Sequence, residues 1–296
     1  MILTTPHLAQ LTEIAKSAAL MAGAYIQSQF DTAIVKERKT GGDSRASHVV
    51  TEVDFKAQEI ILNQLAECIH TFDLGLLTEE ATDDHSRLQK DYFWCIDPLD
   101  GTLPFTERRT GYAVSIALIS KTGNPVVGVA YLPDLKTCYA AYTGSGVYRN
   151  DQMLVRHPVK AETLHFYMDQ SFLVAPYYEW VKTQMETLIE TSEYTQIEYH
   201  SDFGGVRNAI GVMESDAGCY FKFPKQANGC GSIWDYAATC LFMQESKLSV
   251  SNAQGTRLHL NDLETTFMNR VGILYATDQR LAEWVVKLGQ KWNEMT

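Results

Sequence analysis

The sequence predicts an α+β protein in which helices and sheets pack as mixed layers. Three observations favour this fold class. The chain begins with an amphipathic helical period, a series of short strands follows between residues 113 and 149, and helices alternate with strands after residue 165. Its 296 residues, 45% of them apolar, are enough for a sizeable hydrophobic core.

The first half of the chain predicts two helices followed by strands. Apolar residues recur every three or four positions over residues 8–26 and again over 53–68, which is the period of a helix face. Short apolar runs over 72–77 and 92–96 each end in acidic residues, so we expect buried strands that stop at acidic loops. Four strands separated by turn residues follow over 113–149 and predict an antiparallel meander.

The second half predicts alternating strands and helices after a polar stretch over residues 150–165. This stretch suggests a boundary between an N-terminal subdomain, residues 1–155, and a C-terminal subdomain, residues 156–296. The predicted strands are 172–175, 196–199, 219–223 and 248–250, and the predicted helices are 178–191, 206–213, 235–245 and 281–292.

Charge and composition exclude several classes of function. The chain has 25 basic and 36 acidic side chains and no dense basic cluster, so we expect no nucleic-acid polymer as a partner. Its longest apolar stretch is too short for a membrane span and its start has no signal-peptide pattern, which favours the cytoplasm and no membrane partner. The six cysteines form no C-x-x-C pair and the histidines show no metal-ligand spacing, so we expect buried small hydrophobes and ordinary histidines.

The segment Asp97-Pro98-Leu99-Asp100-Gly101 is the first candidate for chemistry. Asp, Pro and Gly are typical turn residues, and alone the segment indicates only a turn. Here it ends a strongly apolar strand, and Pro98 restricts the backbone so that two carboxylates and the Leu99 carbonyl can converge. Oxygen ligands of this kind suit Mg²⁺, which keeps several positions for water and substrate phosphate.

Four blocks in order make the chain resemble the inositol monophosphatase superfamily. They are Val50-Thr-Glu-Val-Asp54, Glu79-Glu80, Trp94-Cys-Ile-Asp-Pro-Leu-Asp-Gly-Thr102 and Trp234-Asp-Tyr-Ala-Ala238. The resemblance implies a magnesium-dependent phosphomonoesterase with an αβαβα layered sandwich of the inositol monophosphatase and fructose-1,6-bisphosphatase type. It also implies a homodimer and inhibition by lithium.

The resemblance further implies a role for each site residue. Two or three Mg²⁺ ions would be held by Glu79, Asp97, the Leu99 carbonyl, Asp100 and Asp235. Catalysis, by a metal-activated water that attacks phosphorus in line, would depend on Asp54, Glu79 and Thr102. Substrate would be bound by Gly101, Thr102, Gly204, Gly205, Arg207 and Asp235.

Some of these residues have a purely structural interpretation. Asp54 follows Thr51, and Asp235 follows Ser232, at the spacing of a helix capping box. Such caps stabilise a helix by about 1 kcal/mol and require no ligand. The Glu79-Glu80 pair, taken alone, is an ordinary exposed acidic loop.

The blocks also resemble one branch of the superfamily, the 3′(2′),5′-bisphosphate nucleotidases, which hydrolyse 3′-phosphoadenosine 5′-phosphate. The resemblance lies in the Leu between the two acids of Asp97–Asp100 and in Phe223-Pro224-Lys225. The second phosphate would pair with Arg207, Lys222 or Lys225. Alternatives are an inositol monophosphatase, another sugar-phosphate phosphatase, and a catalytically silent protein that binds a small phosphorylated metabolite.

Overall fold

A computed structural model of the chain describes residues 2–32, 36–38, 49–156 and 160–295. These residues form five layers, in the order helices, sheet, helices, sheet, helices. The predicted αβαβα sandwich is therefore confirmed. No helix of the described ranges is both long and apolar enough to cross a bilayer.

The secondary-structure elements have the following bounds. The helices are α1 (Thr5–Gln29), α2 (Glu52–Thr71), α3 (Thr102–Thr106), α4 (Gln170–Leu173), α5 (Tyr178–Thr191), α6 (Gly205–Glu214), α7 (Ile233–Glu245) and α8 (Gln279–Met295). The strands are β1 (Lys36–Arg38), β2 (Val49–Thr51), β3 (Gly75–Thr78), β4 (Tyr92–Asp100), β5 (Ala113–Ser120), β6 (Pro125–Leu132), β7 (Thr137–Tyr142), β8 (Tyr148–Arg149), β9 (Gln152–Met153), β10 (Thr163–Tyr167), β11 (Gln196–His200), β12 (Gly218–Lys222), β13 (Ser249–Ser251) and β14 (Ile273–Ala276).

The large sheet has seven strands in the order β3-β4-β5-β6-β7-β8-β9. Its two faces have different partners because side chains alternate along each strand. On β5, Val114, Ile116 and Leu118 pack with α1 and α2, whereas Ala113 and Ala117 pack in the core that contains α6 and α7. The large sheet is therefore covered by helices on both faces.

The small sheet has five strands in the order β11-β10-β12-β14-β13, of which β11, β10 and β12 are parallel. Its strands alternate in the same way. On β12, Tyr220 packs in the core with α6 and α7, and Phe221 packs in the core with α5 and α8. The α6–α7 layer thus lies between the two sheets, and the first residues of both helices can reach the end of β4.

The structure confirms most predicted elements and corrects several. Residues 172–175 are not a strand, because Asp169 caps α4 by accepting a hydrogen bond from the Phe172 amide at 3.1 Å. The strand predicted over 72–77 begins only at Gly75, since α2 continues to Thr71. Strands β10 and β14 were not predicted.

The remaining corrections concern boundaries. The strand predicted over 92–96 continues to Asp100, so the acidic motif belongs to β4 and is not a separate loop. All six cysteines are buried, as expected, and none of them forms a disulfide. Within the predicted boundary stretch, residues 157–159 lie outside the described residues.

Candidate active site

Three carboxylates from distant parts of the chain meet at the end of β4. One carboxylate oxygen each of Asp97, Asp100 and Asp235 lies within 4.8 Å of the others. Residues three apart on a regular strand face opposite sides of the sheet. The β4–β5 pairing shifts register between Asp97 and Asp100, and this irregularity allows both carboxylates to reach the same place.

The cluster concentrates negative charge where water has little access. Asp97 is 1% exposed and Asp100 is 7% exposed. Burial raises the pKa of Asp97 well above its ordinary value, and the charges of Glu79, Asp100 and Asp235 raise this pKa further. Burial and the charge of Asp235 likewise raise the pKa of Asp100, while burial and then Glu79 raise the pKa of Asp235 to about 6. A cation would relieve this repulsion, and the oxygen donors suit Mg²⁺.

Asp100 is held by the first turn of α6. Its two carboxylate oxygens accept hydrogen bonds from the amides of Gly205 at 3.0 Å and Val206 at 2.9 Å. A Cβ at Gly204 would lie 2.4 Å from Asp100 Oδ2, so the approach requires a glycine. Gly204 and Gly205, which we predict as substrate contacts, thus position a carboxylate of the cluster.

Asp54 lies beside the cluster in a hydrogen-bonded unit with two threonines. Its Oδ2 accepts from the Thr51 amide at 2.9 Å and from the Thr51 hydroxyl at 2.6 Å. Its Oδ1 accepts from the Thr102 hydroxyl at 2.9 Å. The capping box therefore exists, and the same carboxylate also accepts from Thr102, so the cap does not prevent Asp54 from having the predicted second role.

Thr102 connects Asp54 to the acidic motif. Its hydroxyl oxygen is 3.1 Å from the Leu99 carbonyl, a second acceptor for the one hydroxyl proton. With this proton directed to Asp54 or Leu99, the lone pairs of Thr102 Oγ1 can accept a hydrogen bond. Gly101, with φ of 81°, makes the turn from β4 into α3 that places Thr102 there.

Asp235 has the same double role at the start of α7. Its Oδ2 accepts from the Ser232 amide at 2.8 Å, which forms the predicted cap. A Cβ at Gly231, where φ is 74°, would lie 2.4 Å from the same oxygen. The Ser115 hydroxyl donates to the Trp234 carbonyl at 3.1 Å and so fixes the start of α7 against β5. Neither Gly231 nor Ser115 is among the residues predicted from the sequence, although Gly231 immediately precedes the cap.

Glu79 follows β3 at the edge of the cluster. Its amide donates to the Ile96 carbonyl at 3.1 Å, which extends the β3–β4 pairing by one residue. The next amide, that of Glu80, donates to Gln58 Oε1 at 3.1 Å. Glu79 is half-buried, and its charge acts on Asp97 and Asp235. This acidic pair is thus fixed by α2 and β4, and is not an exposed loop.

The basic residues named for a second phosphate have different environments. Lys222 is 6% exposed and forms an ion pair with Asp169, so its charge is already balanced. The Arg207 guanidinium lies over the Phe203 ring at 5.4 Å, with Nη1 3.7 Å from Glu214 Oε2. Arg207 thus lies on α6, which also holds Asp100, but its guanidinium contacts Phe203 and Glu214.

Comparisons with known sequences identify related proteins. A sequence model of the inositol monophosphatase family matches residues 7–293. The 3′(2′),5′-bisphosphate nucleotidase CysQ of Salmonella typhimurium is 31% identical over 226 residues, which are 74% of this chain and 82% of the relative. An inositol-1-monophosphatase of Synechocystis is 34% identical over 172 residues, or 58% of this chain and 55% of the relative.

Solved structures share the fold at low sequence identity. The Thermotoga maritima IMPase aligns with a TM-score of 0.73 and 19% identity, covering 96% of this chain and 98% of the other. The extragenic suppressor protein suhB of Bartonella henselae aligns with a TM-score of 0.71 and 23% identity, covering 95% and 99%. The five-layer architecture is thus shared over almost the whole chain.

Proposed function

The chain belongs to the inositol monophosphatase family, whose members are phosphatases, and we propose that it is a magnesium-dependent phosphomonoesterase for a small phosphorylated metabolite. The observation that carries this proposal is the meeting of Asp97, Asp100 and Asp235 with donor oxygens within 4.8 Å. Burial and mutual repulsion raise the pKa of all three carboxyls. Divalent cations would stabilise the ionised cluster.

The proposed metal ligands are Glu79, Asp97, the Leu99 carbonyl, Asp100 and Asp235, for two or three Mg²⁺ ions. When bound, Mg²⁺ lowers the pKa of a coordinated water and neutralises charge on the phosphate. The hard oxygen donors fit this ion better than a softer metal. Because Gly205 and Val206 fix both oxygens of Asp100, that ligand is oriented before any ion arrives.

The Asp54–Thr102 pair supports turnover in addition to binding. Asp54 accepts the Thr102 proton at 2.9 Å, which leaves the Thr102 oxygen to accept a hydrogen bond from the attacking water. Glu79 would be the second acceptor for that water. We propose that the amides of Gly101 and Thr102 donate to phosphate oxygens. A protein that only bound phosphate would not need the buried threonine and its carboxylate partner.

For the substrate we propose a 3′(2′),5′-bisphosphate nucleotide. The CysQ relative supports this choice because its match covers 74% of this chain. Arg207 Nη1 is buried without a hydrogen-bond partner in the described part of the chain, and the guanidinium lies against Phe203, next to the Gly204–Gly205 turn. A guanidinium matches the geometry of a phosphate group, so Arg207 is our candidate for the second phosphate. The Synechocystis relative favours inositol monophosphate as the second candidate.

The proposal is tested by phosphate release from four esters, with and without Mg²⁺. The panel contains 3′-phosphoadenosine 5′-phosphate, inositol 1-phosphate, fructose 1,6-bisphosphate and an aryl phosphate. We expect Mg²⁺-dependent release, fastest with the bisphosphate nucleotide, and inhibition by lithium. Release from none of the four would favour a silent binding protein.

A variant separates substrate choice from catalysis. Arg207→Ala should raise the KM for the bisphosphate nucleotide and leave hydrolysis of the aryl phosphate unchanged, because only the first substrate has a second phosphate. Arg149→Ala is a matched control, since Arg149 also pairs with Glu214, at 3.3 Å. Equal effects of Arg207→Ala on both substrates would show that Arg207 does not determine which substrate is preferred.

A further inference from the structure

A second group of metal-ligating side chains lies on the small sheet, outside the proposed phosphatase site. It contains His165 of β10 and Glu198 and His200 of β11. The parallel register places His165 opposite Glu198 and Tyr167 opposite His200. Residues two apart on a strand share a face, so the pairing brings the three side chains together on one face.

The distances within this group suit a four-coordinate ion. Nδ1 of His165 is 3.0 Å from Nε2 of His200, a hydrogen bond that a bound ion would replace. The Glu198 carboxylate presents one oxygen 3.6 Å from His165 Nδ1 and the other 3.9 Å from His200 Nε2. Tetrahedral zinc with bonds of about 2.0–2.2 Å has ligand atoms separated by about 3.3–3.6 Å. The observed separations lie on both sides of that range and require only small side-chain movements.

The two imidazoles stack on each other, with ring centroids 5.3 Å apart and an interplanar angle of 24°. The His200 ring stacks on Tyr167 with centroids 4.4 Å apart and an interplanar angle of 13°. The His200 carbonyl accepts from the Met168 amide at 2.8 Å. The His165 and His200 side chains are 26% and 19% exposed, whereas that of Glu198 is 60% exposed. The site thus combines two fixed nitrogen donors with a carboxylate that is open to solvent.

The charges around the group permit a divalent cation. As metal ligands, two imidazoles are neutral donors and a carboxylate contributes one negative charge. Arg207 is the cation that acts on His200, and Glu214 lies 3.7 Å from it and offsets its charge.

We propose that His165, Glu198 and His200 form a binding site for a zinc-type divalent transition-metal ion. Imidazole donors select such ions over Mg²⁺, which prefers oxygen ligands, so this site and the carboxylate cluster take different metals. The open side of the group is that of Glu198, whose side chain is 60% exposed. By binding side chains of both strands, the ion joins the edge strand β11 to β10. It also fixes His200, from which the chain continues to Gly204.

The proposal is tested by titrating Co²⁺, a spectroscopic substitute for Zn²⁺, into the full chain in excess Mg²⁺. Visible absorption bands of Co²⁺ in a low-symmetry ligand environment should appear and should saturate at one equivalent of Co²⁺. Addition of Zn²⁺ should displace the Co²⁺ and remove the bands. Glu198→Gln should weaken Co²⁺ binding roughly tenfold or more, and His200→Gln should abolish the bands. His85→Gln is the matched control, because His85 has an acidic neighbour, Asp83 at 3.5 Å, but belongs to neither three-residue group found among the described residues.

Two further variants make the result decisive. Asp97→Asn should retain the cobalt bands, because that change affects only the carboxylate cluster. The Glu198 side chain is exposed, so Glu198→Gln should fold normally even if a histidine variant does not. Absence of the bands in wild type, bands unchanged in Glu198→Gln, or bands lost in Asp97→Asn would overturn the proposal. Each of these results leaves the phosphate-release assay, and hence the proposed phosphatase function, unaffected.

Discussion

Two acidic regions of the molecule balance their charge in opposite ways. At Asp169, burial acts to raise the carboxyl pKa, but the Lys222 ammonium and hydrogen bonds from Ser171 and Phe172 outweigh it, so the pKa lies below its ordinary value. At Asp97, burial is reinforced by neighbouring carboxylates, and the pKa lies well above its ordinary value. The protein itself supplies the counter-charge at Asp169. At Asp97 we expect divalent cations from solution to supply the counter-charge.

The largest expected effect is on turnover. Asp97→Asn preserves the acceptor for the Leu99 amide, at 3.0 Å in the wild type, but removes a ligand charge. We expect Mg²⁺-dependent phosphate release to fall by orders of magnitude, with an unchanged circular dichroism spectrum. Glu59→Gln, which removes the same charge from an exposed site on α2, should leave the rate unchanged. Near-normal rates in Asp97→Asn would mean that the cluster does not hold the catalytic metal.

The next effect is on stability, and it has opposite signs in the two regions. Asp169→Asn leaves the Lys222 ammonium buried without its partner and should lower the free energy of unfolding by about 3–5 kcal/mol. Asp97→Asn relieves repulsion and should raise the free energy of unfolding of the metal-free protein at pH 7. Urea denaturation in the presence of a chelator measures the free energy of unfolding of both variants. If both variants change the free energy of unfolding in the same direction, the Asp169 and Asp97 regions do not balance their charge in opposite ways.

Thr102 tests the part of the site that is complete without an ion. Thr102→Ala removes the hydroxyl that donates to Asp54, and we expect kcat to fall more than Mg²⁺ affinity. Thr102→Ser keeps the hydroxyl and should restore most of the rate. Steady-state kinetics over a range of Mg²⁺ concentrations separates the two effects. Equal losses of rate and affinity in Thr102→Ala would make Thr102 a purely structural residue.

The smallest expected effect is a pH dependence of the metal-free protein. Carboxyls whose pKa is raised by folding bind more protons in the folded than in the unfolded state, so stability falls as pH rises through the affected range. For Asp235 that range runs from about 3.9, the ordinary carboxyl value, to about 6. We expect the Tm in chelator to fall more steeply over this range in wild type than in Asp235→Asn. Identical pH profiles would contradict the repulsion between these carboxylates.

The carboxylates of the site were predictable because each lies in a short block with its own local signal. Asp97 and Asp100 end an apolar strand, and Asp54 and Asp235 occupy capping positions. The capping spacings alone indicate no second partner for Asp54 or Asp235, and only the family resemblance assigns these residues to the site. The register shift that lets Asp97 and Asp100 reach the same place is seen only in the β4–β5 pairing.

Other features depend on long-range pairing and have no local signal. His165 and His200 are 35 positions apart, and only the parallel register of β10 with β11 brings their nitrogens to 3.0 Å. The partnership of Asp169 with Lys222 likewise joins a helix cap to a buried strand. Strand β10 was missed because it adjoins a polar stretch, although Leu164 and Phe166 alternate with polar residues as in a half-buried strand.

Anomalous diffraction from crystals grown with Mn²⁺ in place of Mg²⁺ shows whether the carboxylate cluster holds metal ions. We predict anomalous peaks bridged by the carboxylates of Asp97, Asp100 and Asp235, with Asp54 still bonded to Thr102. Carboxylates that remain together with no peak between them, or that turn away from one another around bound manganese, would contradict the account.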